Sequence, residues 1–105
     1  MAAGAASVIG WVEVQPSAKG RDHITLRGHV LALTDAAGRF TLALTRSSKG
    51  GKSETKQGGE FKLQAGESQP LSTTTINLDE KDQLTVVLSI SVDGIEVFST
   101  TLRTL

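Results

Sequence analysis

The sequence predicts an all-β fold, an immunoglobulin-like antiparallel β-sandwich of about seven strands, on three observations. Apolar residues recur at every second position through much of the chain, and turn residues punctuate it roughly every 8–12 residues. No stretch of useful length shows the ~3.6-residue period of a helix. A length of 105 residues suits one domain.

Residues 1–7 are small and bland and read as a flexible N-terminus, with a single sandwich domain over residues 8–105. They place no basic region ahead of an apolar run, so they form no intact signal peptide. They fit either a plain start or a Met1 placed before a mature secreted chain. The first strand alternates Val8, Val12 and Val14 with Ile9, Trp11 and Glu13, and Pro16 ends it. In the second, Ile24, Leu26, Val30 and Ala32 share a face, with Gly28 between them marking a bulge or bend. Asp35-Ala36-Ala37-Gly38 turns the chain into residues 39–46, where Phe40, Leu42 and Leu44 alternate with Thr41, Ala43 and Thr45. Residues 53–57 and 61–63 are short and mostly polar, which suits edge strands. Residues 71–78 are Thr-rich and close at Asn77-Leu78-Asp79.

The most regular alternation runs over residues 83–92. Leu84, Val86, Leu88, Ile90 and Val92 take one face, and Thr85, Ser89 and Ser91 the other. Asp93-Gly94 follows, then residues 95–102. Two such runs joined by Asp-Gly predict a hairpin, because a type I′ turn needs positive φ at both central residues. The inward set is then Val12, Val14, Ile24, Leu26, Val30, Phe40, Leu42, Leu44, Ile76, Leu78, Leu84, Val86, Leu88, Ile90 and Val97.

Composition excludes several functions. Lys and Arg number 11 and Asp and Glu 11, so zero formal charge gives no general drive toward nucleic acid or an acidic membrane. No apolar run approaches the ~20 residues that span a bilayer. The absence of cysteine removes disulfides, thiolate metal sites and thiol nucleophiles. His23 and His29 have no third histidine, and Asp22 is the only adjacent carboxylate, whereas a metal site usually takes three or four ligands. No metal and no cofactor is therefore expected.

A Ser-His-acid triad lacks both a nucleophile elbow and a histidine beyond residue 29. The cluster Asp79-Glu80-Lys81-Asp82 reads as a solvated turn between strands. The glycines of Ser48-Lys49-Gly50-Gly51-Lys52-Ser53 lack the spacing and the following helix of a phosphate loop. Glycan binding is disfavoured by an aromatic set of only Trp11, Phe40, Phe61 and Phe98, with Trp11 read as a core or sheet-edge residue. No enzyme is predicted.

Charge distribution is the informative feature. Arg46, Lys49, Lys52, Lys56 and Lys62 face only Glu54 and Glu60 in their stretch, a net +3, whereas residues 67–96 carry a net −5. Two readings stand. The lysines guard edge strands against aggregation, or the five cations form a basic surface that steers an extended or acidic partner. The short polar edges favour a monomer.

The same stretch carries a resemblance. Arg39-Phe40-x-Leu42, then Lys49-Gly50-Gly51-Lys52-Ser53-Glu54-Thr55-Lys56-Gln57, Leu71-Ser72, Asn77-Leu78 and Val92-Asp93-Gly94 resemble, in order, the periplasmic curli-assembly inhibitors of the CsgC and CsgH type. The glycine-rich spacing favours CsgH. The resemblance implies a periplasmic immunoglobulin-like chaperone that keeps the soluble, disordered curli subunit from forming amyloid before export, without ATP. It also implies that a signal peptide has been removed. CsgC-type members carry a Cys-x-Cys where this chain reads Ala36-Ala37-Gly38, so a redox role for that motif does not apply here. The alternative from another class is a passive β-sandwich interaction module of an adhesion or secretion system.

Overall fold

The computed structural model describes residues 7–16, 23–78 and 81–104. Residues 1–6, most of the expected flexible N-terminus, lie outside the described residues, as do Asp22, Asp79 and Glu80. Seven strands follow one another: β1 Val8–Pro16, β2 His23–Ala32, β3 Ala36–Ser48, β4 Gly51–Leu63, β5 Ser68–Asn77, β6 Gln83–Val92 and β7 Ile95–Arg103. They form two antiparallel sheets, one ordered β1-β2-β5 and the other β4-β3-β6-β7. The predicted sandwich is the observed one.

The position of β4 follows from its turn. Ser48 pairs with Gly51, so only Lys49 and Gly50 connect β3 to β4. A two-residue loop joins only adjacent antiparallel strands, which places β4 beside β3. In the constant-type immunoglobulin sandwich the fourth strand instead joins the first sheet. Pairing of β3 with β4 then continues without interruption from Ser48↔Gly51 to Ala36↔Leu63.

That continuity changes two expectations. Ala36, Ala37 and Gly38 belong to β3 and not to a turn, because Ala36 is buried and paired with Leu63. The two short strands expected over 53–57 and 61–63 are one strand of 13 residues. Gly58 and Gly59 do not break it; they pair with Thr41 and Phe40. A Cβ on Gly59 would stand 3.0 Å from Phe40 Cε1, so the glycine makes room for that ring.

The core is the layer between the sheets. Leu26, Val30, Leu42, Leu84, Val86, Leu88 and Ile90 are fully buried, and no polar or charged side chain is buried with them among the described residues. Val12, Ile24, Ile76 and Leu78 pack against this layer while partly exposed. Val8, Ala32, Ala36, Phe61 and Leu63 join it beyond the expected set.

Two inward assignments are corrected. Val14 is 45% exposed, because it lies in the last three residues of edge strand β1, all of them exposed, whereas Val8 near the start of the same strand is buried. Val97 is 38% exposed, and Phe98 faces the core in its place. The Asp93-Gly94 turn has the expected positive φ at both residues, 54° and 78°. It sets Val92↔Ile95 and Ser91↔Glu96, but Ile90 then pairs with Phe98. Val97 is the extra residue of a bulge, and one inserted residue exchanges the faces of everything after it.

Close approach of β3 to β6 generates a stability prediction. A Cβ at Gly38 would lie 2.1 Å from the Ser91 carbonyl oxygen, a backbone atom that cannot swing aside. Gly38→Ala should therefore cost about 1–3 kcal/mol in denaturant unfolding. Gly50→Ala, with nothing within 4 Å of its Cβ, should leave the midpoint almost unchanged. Equal effects of the two substitutions would contradict this packing.

Candidate protein-binding edge

Strand β4 pairs with β3 on one flank only, so it forms an open edge of the four-stranded sheet. Strand alternation sends Phe61 and Leu63 into the core, and therefore sends Lys62, Glu60, Gly58, Lys56, Glu54 and Lys52 to the outer face. Residues 51–56 are exposed on both faces, so the first half of the strand projects polar groups on each side. It is tied down at Gln57, whose Nε2 donates to Thr74 Oγ1 of β5 in the opposite sheet.

The five candidate cations separate into groups. Lys52, Lys56 and Lys62 share the outer face of β4, and Lys49 stands in the turn before it. Arg46 has the inward parity of Leu42 and Leu44 on β3. Its Nη1 donates to the Asn77 carbonyl oxygen at 2.5 Å, across to β5, so it links the two sheets. Among the described residues no carboxylate pairs with Lys49, Lys52, Lys56 or Lys62. Of the two acids on this face, Glu60 is engaged by Arg39, Oε1 to Nη2 at 3.1 Å. Both partners of that pair are more than two-thirds exposed, so the bridge contributes little to stability. It does remove one negative charge from the field around the lysines.

Lys62 has a different neighbourhood from Lys52 and Lys56. It stands between two open depressions of about 560 and 610 Å³, one lined in part by Asp35 and Glu67 and the other by Asp93. Asp35 Oδ1 accepts the Ala65 amide at 2.8 Å, and Glu67 Oε1 accepts the Gln64 amide at 2.6 Å. These carboxylates hold the β4–β5 connection. Lys49, Lys52 and Lys56, by contrast, have Glu54 as the only carboxylate in their stretch of the chain.

A second polar cluster was missed by sequence reasoning. On the outer face of the three-stranded sheet, Trp11 of β1 stacks on His29 of β2, with ring centroids 5.0 Å apart and planes inclined by 9°. His29 Nε2 lies 2.9 Å from Glu13 Oε1, and Gln15 Nε2 donates to Glu13 Oε2 at 2.6 Å. The bond from His29 lowers the Glu13 pKa, against a smaller opposing effect of burial. Trp11 is 41% exposed and sits on an edge strand, within the core-or-edge alternatives read from the sequence. The pairs Trp11↔His29 and Glu13↔Arg27 depend on the β1–β2 register. Parity alone places these residues on one face but does not set that register. Among the described residues, no three His, Cys, Asp or Glu side chains converge to hold a metal ion.

Fold and edge together define a class: a small immunoglobulin-like sandwich that presents an open, lysine-bearing strand. The chain belongs to the CsgH protein family, whose sequence profile matches residues 12–100. It is similar in fold to the solution structure of R. palustris CsgH, with a TM-score of 0.64 and 24% identity over 90% of this chain and 91% of that one. It is also similar to the E. coli curli protein CsgC, with a TM-score of 0.72 and 18% identity over 92% and 97% of the two chains. At these identities the likeness establishes the fold. No curated protein sequence matches the chain.

The Glu13 contacts predict a pH dependence. A carboxyl whose folded pKa is depressed contributes stability above its unfolded value and loses it as pH falls through the folded one. Wild type should therefore be more stable than Glu13→Gln at about pH 7, and the gap should be smaller at about pH 3, below the ordinary carboxylate value of 4.5. Paired urea melts at the two pH values check this, and a gap of equal size at both would contradict it.

Proposed function

We propose that this protein is an ATP-independent periplasmic chaperone that delays premature amyloid formation by a curli subunit through weak, partly electrostatic contacts along β4. Membership of the CsgH family supports a place in curli assembly, and the likeness to the E. coli curli protein CsgC points the same way. The observation that carries the reading is the alignment of Lys52, Lys56 and Lys62, without ion-pair partners among the described residues, on the outer face of an open edge strand.

The physical account runs through two opposed properties of that edge. A soluble amyloid subunit contains strand-prone segments that template on exposed strands. β4 offers such a strand, and Lys49, Lys52, Lys56 and Lys62 attract acidic parts of the client over roughly a Debye length. The same charges oppose the stacking of further strands, so a captured segment stops before it nucleates a fibril. Arg46 supports this surface indirectly, by holding the end of β3 to Asn77. The protein acts as a monomer and requires neither cofactor nor membrane insertion.

Neutralising the face should weaken the activity. The triple variant Lys52→Gln, Lys56→Gln, Lys62→Gln should shorten the lag of curli-subunit fibrillation, followed by dye fluorescence, toward that of the subunit alone. Raising salt from about 0.05 to about 0.5 M should do the same to wild type. An unchanged lag under both treatments would show that the basic face is not the working surface.

A further inference from the structure

The four sheet edges are not equivalent. β5 contains Pro70 and lies across a register shift at Gly28, β7 carries the bulge at Val97, and β1 spans nine residues that end at Pro16. Prolines and bulges are the usual devices that stop an edge from accepting another strand. β4 has neither. It is 13 residues long, contains no proline, and keeps an unshifted register with β3 throughout. At about 3.3 Å per residue it extends for roughly 40 Å. Its outward main-chain groups form a row open to solvent, onto which another extended backbone can pair along its length. Its guard is charge alone, and a guard of lysines repels cationic strands and favours an acidic one.

We propose that β4 is a strand-addition site for an extended acidic polypeptide segment laid antiparallel to it, with acidic side chains spaced to oppose Lys62, Lys56 and Lys52. The inference rests on the edge reading above and adds how the partner is held and which segments are chosen. The three lysines are six and four residues apart, so they occupy one face. A partner with acids at positions n, n+6 and n+10 brings each directly opposite a lysine, the closest cross-strand arrangement. At n+8 it meets Glu54, where a cation fits. At n+2 it meets Glu60, already engaged by Arg39 and so without strong preference. Gly58 opposes n+4 and leaves space there for a large side chain. On the other face the segment meets exposed Ser53 and Thr55, which suit polar partners.

The test uses two labelled peptides of identical composition on a Ser/Thr background, titrated with the intact protein at low salt by fluorescence anisotropy. One has Asp at its first, seventh and eleventh positions, and the other at its first, sixth and eleventh. Moving the middle acid by one residue puts it on the opposite face from the other two in every register. The matched peptide should bind about tenfold more tightly, and amide shifts should concentrate on β4. Lys56→Glu should weaken it, and a peptide with Lys at the seventh position should restore binding to that variant.

Equal affinity of the two peptides, no binding by either, amide shifts centred on another strand, or a charge swap that restores nothing would each overturn strand addition. Diffuse charge attraction would treat the two peptides alike and would still shorten the fibrillation lag on lysine neutralisation. Failure here is thus distinguishable from failure of the chaperone reading.

Discussion

The inward row of Phe40, Leu42 and Leu44 on β3, locked against the alternating apolar face of β6, is the constraint on which the rest of the structure depends. β3 is paired on both flanks, with β4 and β6, and its register fixes both. Leu42 and Leu88 are directly opposite and fully buried, with Leu26 and Val30 of the other sheet also at zero exposure. The chain has no cysteine, so no covalent staple substitutes for this layer. Once the inner faces are committed to apolar side chains, charge is confined to outer faces, edges and ends.

That confinement explains how a neutral chain acquires a directional surface. The two-residue turn at Lys49-Gly50 makes β4 the flank of the four-stranded sheet, and strand parity turns its lysines outward. Burial of Phe61 and Leu63 anchors only the C-terminal end of the strand. Its first half is held by the β3 ladder and by Gln57 bonded to Thr74. An edge fixed in place yet exposed on both faces suits transient contact with an extended chain. Arg46, although adjacent in sequence, serves the sandwich itself through Asn77.

Much of this was legible in the sequence. Period-2 alternation located β2 and β6 closely, Asp93-Gly94 specified its turn, and Gly28 marked a bulge. Alternation reports parity but not insertions, so the bulge at Val97 reversed the expected facing of the last strand. The polar run before Phe61 hid a buried pair, because 53–57 and 61–63 read as separate short strands, whereas Gly58 and Gly59 between them stay paired with β3. The lysine stretch was visible as charge, but its division into an outer face and an inward Arg46 needed the register. The Trp11–His29–Glu13 cluster needed the β1–β2 pairing for the same reason.

The central claim is that the outer face and open flank of β4 are where the client is met. The most direct measurement is amide NMR of the isotopically labelled protein mixed with soluble, unlabelled curli subunit before fibrils appear. The account predicts shift changes and line broadening concentrated over Lys49–Lys62, fading as salt is raised, with the outer face around Trp11 and His29 undisturbed. Perturbations centred on Trp11 and His29, with β4 silent, would contradict it.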